Sequence, residues 1–527
     1  MMEETKKKGS VFLMKTKKLI CGVVAVATAV TLLAGCGGGK KTSSQQGEKL
    51  TVWMPLVSNA SMVVSNFGET ELAKKVMEET GVDVEFVHPP QGQEKEKFSI
   101  VVASANLPDI IEYNWLAYPG GPAKAIKEGV IIDLAKHADK APNMFGYLNE
   151  NPEIKKLATT DAGEVFSFPF VRGDESLCFS SGIIVRGDWL EELGLAMPET
   201  IDEWETVLTA FKEKKGSATP YSASSTNNFA SGFGTTVGYY VEDGKVKHGI
   251  LDDSFKDYLT TMNRWYKNGL IDPSYATLDT KTVESNIING MSGVTSGSIG
   301  SGIGKWMAAA TSTPGYSLEG APVPVPQKGT KAKFGTYQLP VTSSATAFDA
   351  VTTSCTDIES AMKFLDYGYS EEGRMLYNFG VEGESYTMVD GYPTYTEEIT
   401  NNPEGLSMTV ALAKYTRSYS TGPFVQDKRY MEQYAALPQQ KLAWETWSNT
   451  DVAKYTLPHL YMQSDELTEY AQLSNDVETY MNEMISKFII GAEPMDNYDK
   501  MIAELKNRGI DRIIEMKQNA YNRYLAR

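Results

Sequence analysis

The sequence predicts an α/β fold, and three stretches carry that prediction. Leu50-Thr-Val-Trp53 reads as a short strand, residues 69–80 as a helix with Leu72, Val76 and Met77 on one face, and residues 82–87 as a half-buried alternating strand. Strand, helix, strand in that order is the signature of a mainly parallel sheet. Gly81 gives the helix a natural stop, because glycine enters the left-handed region without penalty. Further along, Thr200-Ile-Asp-Glu203 forms a capping box ahead of Trp204, Val207, Leu208 and Phe211 at helical spacing, and Lys214, Lys215 and Gly216 close that helix. Residues 241–246 contain the Asp-Gly pair of a tight hairpin. Phe255, Tyr258, Leu259, Met262, Trp265 and Tyr266 trace another amphipathic helix ending at Gly269. Glycine and serine dominate residues 290–304 and prolines extend residues 321–326, so the chain is expected to pass between two bodies here. Ile510, Ile513, Ile514, Tyr521, Tyr524 and Leu525 form a last helical stripe.

A chain of 527 residues corresponds to two large domains or three to four ordinary ones. Its 42% hydrophobic and 22% charged residues exclude wholesale disorder and a polytopic membrane protein. With 50 Lys plus Arg against 67 Asp plus Glu, the net charge of −17 leaves little attraction to a phosphate backbone, and nucleic acid is not an expected partner. Met14-Lys-Thr-Lys-Lys18 followed by the apolar run 19–34 reads as an export signal, too short to span a bilayer comfortably. It ends in Leu32-Leu33-Ala34-Gly35-Cys36, which resembles the lipobox of bacterial lipoproteins. Residues 1–35 are therefore expected to be removed, with Cys36 lipidated and the protein held on the extracellular face of the cell membrane. Residues 36–49 are small and polar, a flexible tether.

The body lacks most chemical signatures. His88, His137, His248 and His459 are scattered singly, with neither His-Glu-x-x-His nor a Cys/His cluster of zinc spacing, so no His-based metal site is expected; no calcium-loop motif occurs either, and a calcium site built from carbonyls would leave no trace in sequence. Cys178 and Cys355 are read as buried small hydrophobes in preference to a bridge. No G-x-S-x-G elbow occurs, and the glycine run 297–306 fails as a Walker loop because Ile299 and Trp306 occupy required positions. No cofactor is implied. Carboxylates are abundant, so a glycosidase acting through two of them is the alternative to a binding protein. The positive signal is aromatic: 8 Trp, 28 Tyr and 19 Phe include clusters such as Tyr113-Asn-Trp115, whose flat rings suit the apolar faces of sugars.

The lipobox, the strand ending in Trp53, Thr80-Gly-Val-Asp-Val84 and Ala105-Asn-Leu-Pro-Asp-Ile-Ile111 together resemble the opening of family 1 extracellular solute-binding proteins of ABC sugar importers. Val165-Phe-Ser-Phe-Pro-Phe170, residues 186–195, Tyr266-Lys-Asn-Gly-Leu-Ile-Asp-Pro273, Phe379-Gly-Val-Glu-Gly383 and Phe488-Ile-Ile-Gly491 continue the likeness in order, the last two as in the long lipoprotein branch. The resemblance implies a two-lobed periplasmic-binding-protein-like fold, with a ligand cleft and hinge between lobes. One lobe would hold residues 50–168 and 322–378, the other 169–321 and 379–527. It also implies a monomer without catalytic activity that captures a sugar or oligosaccharide and delivers it to permease subunits driven by a separate ATPase. Position by position, the family's binding places fall on Trp53, on Tyr113, Asn114 and Trp115, on Arg172, and on Ser298, Ser301 and Trp306, with Tyr386 and Arg417 as further candidates. For each Trp the competing role is core packing.

Overall fold

Residues 49–104, 106–310, 313–341, 348–417, 421–463 and 465–527 are described in the computed structural model, and they belong to one unit that begins at Lys49. The export signal, Cys36 and the tether to Glu48 lie outside the described residues. No helix among those described is long and apolar enough to cross a membrane.

The strands, in chain order, are β1 Leu50–Trp53, β2 Val84–Val87, β3 Ile110–Tyr113, β4 Phe168–Pro169, β5 Val171–Arg172, β6 Ser181–Arg186 and β7 Tyr239–Glu242. They continue as β8 Lys245–His248, β9 Val294–Ser298, β10 Leu318–Ala321, β11 Phe348–Val351, β12 Tyr386–Val389, β13 Tyr392–Tyr395 and β14 Val425–Gln426. A five-stranded sheet has the order β2-β1-β3-β11-β4, with β1 parallel to both β2 and β3. The expected strand-helix-strand unit is present. Its helix is Glu71–Thr80, capped by the Thr70 hydroxyl, which accepts the Ala73 N–H, and closed by Gly81 at φ 66°. It starts two residues later than the sequence suggests because Phe67–Glu69 forms its own short turn under an Asn66 cap. β11 arrives from far along the chain and runs antiparallel to both β3 and β4, so it is the one reversed strand of this sheet.

The second sheet, β10-β6-β9, is antiparallel throughout. The helix Pro438–Ser448 lies on one face, and two glycines permit its close approach. A Cβ at Gly320 would sit 2.4 Å from that of Ala443, and one at Gly182 2.5 Å from the Trp447 indole nitrogen. Trp447 Nε1 donates to the Ala321 carbonyl at 3.0 Å. The other face carries the helix Ile201–Lys215, whose Thr200–Glu203 capping box forms as expected, with Phe255–Lys267 and Leu467–Ile490 behind it. β7 and β8 make the expected hairpin, with Asp243 at φ 51° and Gly244 at φ 73° in the left-handed positions that the turn requires.

Three segments run side by side at the junction of the two bodies. β5 pairs with β14 in parallel, and Val171 also bridges Val341. The Arg172 N–H donates to the Pro340 carbonyl at 2.9 Å, and the Gly173 N–H to that of Gln426 at 3.0 Å. This triple crossing differs from the expected one. Residues 290–304 stay in the second body, following the helix Thr280–Ile288 as a turn, β9 and the π-helical turn Ile299–Gly304. The proline-rich segment also stays there: Val325 N–H donates to the Glu199 carbonyl, and Phe334 packs edge-on against Tyr240 with ring centroids 4.9 Å apart. The chain leaves only at about residues 338–341. Tyr461 and Tyr524, placed by the sequence reading in the second lobe, pack into the first core. Proline extends a chain but carries no information about which body the chain lies on. Cys178 and Cys355 are both free and buried, in different cores.

Candidate ligand-binding site

The triple crossing forms the floor of a cavity of about 250 Å³. Asn59 and Thr409 contribute from one side, Arg172, Gln338 and Gln426 from the crossing, and Ser298, Ser301, Tyr430 and Tyr434 from the second body. Beside the Arg172 guanidinium and the apolar Leu177, Ile299 and Met431, the wall presents hydroxyls, amides and aromatic rings, the chemistry that holds a polyol.

Local sequence explains how these groups meet. β9 ends at Ser298 and the chain makes a wide π-helical turn through Ile299–Gly304, whose Ile299 carbonyl accepts a 2.9 Å hydrogen bond from Gln440 Nε2. Gly300 is required here: a Cβ would fall 2.0 Å from the Tyr434 hydroxyl. Tyr430 and Tyr434 lie one turn apart on the helix Lys428–Tyr434 and stack at 5.4 Å with 23° between their planes. The Tyr434 and Thr409 hydroxyls are 3.1 Å apart, which ties the pair to the helix Met408–Tyr415. The Ser298 and Ser301 hydroxyls are 2.7 Å apart. Both serines also line a second cavity of about 500 Å³ that includes Asn227, Asn228, Lys305 and Trp306, so the two cavities share a wall.

Arg172 is 5% exposed. Its Nη1 donates to the Leu339 carbonyl at 2.9 Å and its Nη2 to Gln338 Oε1 at 2.6 Å. Burial lowers the pKa of its guanidinium, an effect that no carboxylate opposes. Arg417 is in the opposite situation. Its Nη1 and Nη2 grip Glu112 of β3 at 2.9 and 2.5 Å, and Nη2 and Nε also reach the Thr421 hydroxyl. Nearby Asp349 is raised well above the usual carboxylate range, by burial first and then by the Glu112 charge.

The other expected positions divide. Ser298, Ser301 and Arg172 share the first cavity, and Trp306 lines the second. Trp53, Tyr113 and Trp115 are placed in the first core: Tyr113 stacks on Phe98 at 4.3 Å, Trp53 meets Tyr113 edge-on at 5.9 Å, and Trp115 donates to the Ile111 carbonyl at 3.2 Å. Phe98, on the helix Glu94–Val102, closes this aromatic cluster. The Asn114 side chain accepts the Leu116 N–H at 3.1 Å and caps a turn. Arg417 is held by Glu112, away from the chamber. Tyr386 lines a separate cavity of about 860 Å³ beside Tyr147, Arg374 and Arg429. Sequence reasoning missed Tyr430, Tyr434, Gln338 and Gln426. Only the first pair left a signal, two tyrosines at i, i+4.

Two α/β lobes joined by three crossing segments, with a polar and aromatic cavity at the crossing, define a protein of the solute-capture class. The model of the bacterial extracellular solute-binding protein family matches residues 66–375, and the chain belongs to that family. It is 27% identical over 440 residues to lipoprotein LipO of Bacillus subtilis (strain 168), covering 77% of this chain and 81% of LipO. It is 24% identical over 555 residues to the fructooligosaccharide ABC transporter substrate-binding protein FusA of Streptococcus pneumoniae, covering 97% and 99%. The crystal structure of the alginate-binding protein AlgQ2 without calcium ion superposes with a TM-score of 0.72 at 24% identity, over 90% of this chain and 98% of that one.

Proposed function

We propose that the chain captures a sugar or oligosaccharide in the crossing chamber and hands it to the permease of an ABC importer, while anchored to the extracellular face of the membrane through Cys36. The observation that carries this reading is the chamber itself, where amides and hydroxyls surround the stacked Tyr430 and Tyr434 at the junction of the two lobes. The named ligands of its relatives, fructooligosaccharide for FusA and alginate for AlgQ2, support a carbohydrate as cargo. The alternative, a glycosidase, requires two carboxyls flanking the bond to be cleaved. Among the described residues no Asp or Glu lines this chamber, which favours binding without turnover.

The test is a glycan panel read in two ways, by thermal shift and by product analysis. A shift in melting temperature with unchanged glycan is the expected result. Cleavage that disappears when carboxylates are replaced would establish the enzyme instead. Separately, Cys36→Ala should abolish lipid labelling in the expressing bacterium; labelling that persists would overturn the anchor.

A further inference from the structure

We propose that the crossing chamber is built for an acidic glycan, and that Arg172 reads the carboxylate of a uronic acid unit. This inference rests on the glycan-capture reading of the same chamber and narrows it from sugars in general to sugars that carry a negative charge.

Three arginines are buried among the described residues. Arg186 has Asp188 at 2.5 Å, and Arg417 has Glu112 at 2.5 Å. Arg172 has no carboxylate within ion-pair distance among the described residues, although it is as buried as the others. A charge removed from water without a counter-charge is destabilising, and proteins tolerate such arrangements where a ligand supplies the missing charge. The guanidinium has five N–H groups, of which the Leu339 carbonyl and Gln338 Oε1 occupy two. The Phe170 ring lies 5.4 Å from Cζ, and the Cys178 thiol and Tyr337 phenol are close enough to act on the guanidinium, both groups that burial keeps neutral. Three donors in a planar fork therefore remain, the geometry that a carboxylate engages with two parallel hydrogen bonds.

The surroundings agree. Gln338 directs Oε1 to Arg172 and also accepts from the Ser180 hydroxyl at 3.4 Å, which leaves its amide N–H groups as further donors. The wall holds one cation and no anion among its described residues, in a chain whose net charge is −17. The adjoining cavity shows the contrast: there Lys305 is held by Glu284 at 2.8 Å, and Asp279 accepts the Thr282 N–H at 2.7 Å to cap a helix. Of these two adjoining cavities the crossing holds the cation without a carboxylate partner, and neutral units of a longer chain can extend past Ser298 and Ser301 toward Trp306.

Titration calorimetry with trimers of galacturonate, mannuronate and glucuronate, each beside its methyl ester, tests the proposal on the intact body, because acid and ester differ in charge but scarcely in shape. At least one free acid should bind tenfold or more tightly than its ester, with the gap narrowing as salt is added. Arg172→Gln should abolish the gap and Arg172→Lys should retain part of it, both at unchanged melting temperature. If neutral oligosaccharides such as kestose bind and no acid exceeds its ester, the proposal falls while glycan capture stands. If no saccharide of either kind binds, both fall.

Discussion

Arg172 and Arg417 are equally hidden, 5% and 6% exposed, yet they stand in opposite surroundings. Arg417 is clamped by Glu112 in two parallel hydrogen bonds, with Thr421 filling further donors. Arg172 has two neutral oxygens and an open chamber. Where a fold needs a buried cation for its own architecture it supplies an anion; where the anion is missing, the architecture is incomplete until a ligand arrives. His248 illustrates a third arrangement. Burial, with a smaller push from Lys517, brings its pKa down to about 3, so it stays neutral while its Nδ1 accepts the Ile250 N–H at 3.1 Å.

The difference can be broken at several points. Arg417→Met strands Glu112 in the core and should lower unfolding free energy by about 3–5 kcal/mol in urea titrations. A loss below about 1 kcal/mol would mean that the pair is not what holds β3 to Arg417. Trp115→Ala should destabilise by about 3–5 kcal/mol through the cavity it leaves, with ligand affinity preserved in the folded fraction. Loss of binding at full stability would return Trp115 to the ligand wall where the sequence first placed it.

For His248 the sign follows from its lowered pKa. The unfolded chain takes up a proton as pH falls through about 6.5 and the folded chain does not until about 3, so stability present at neutral pH is lost progressively across that window. The contribution is about 1.4 kcal/mol per pH unit at most. His248→Asn, whose side-chain oxygen can still accept the Ile250 N–H, should flatten the acid limb of a melting-temperature profile; an unchanged slope would assign the acid sensitivity elsewhere. The smallest effect is expected at Gly300. Gly300→Ala drives a methyl into the Tyr434 hydroxyl, and displacement of that ring should weaken binding about tenfold, or 1.4 kcal/mol, with little change in melting. Wild-type affinity would show that Tyr434 is not part of the binding wall.

Much of the fold was legible because its signals are local. Thr200 with Glu203, Gly81 after a helical stripe, and Asp243-Gly244 each fix the backbone within a few residues, and each appears where expected. The parallel order of the first strands follows from the same local logic, whereas the antiparallel entry of β11 depends on a partner far away in sequence. The site is almost entirely of that second kind. Gln338 meets Arg172 across 166 positions, and nothing in either neighbourhood announces the meeting. The tryptophans show the converse case. Tyr113-Asn-Trp115 has the composition of a binding loop, but Phe98 from another helix stacks on it and turns it into core. Arg172 and the serines of the glycine-rich turn were placed by resemblance to a family, and the resemblance could not say that one arginine would lack an anion.

The account is tested most directly by the melting temperature of Arg172→Met measured with and without a binding uronate trimer. Removing a buried, unpaired cation should leave the free protein as stable as the parent or more so, and should erase the ligand-induced rise. A variant that melts well below the parent while keeping the full ligand-induced rise would make Arg172 a structural residue like Arg417 and contradict the account.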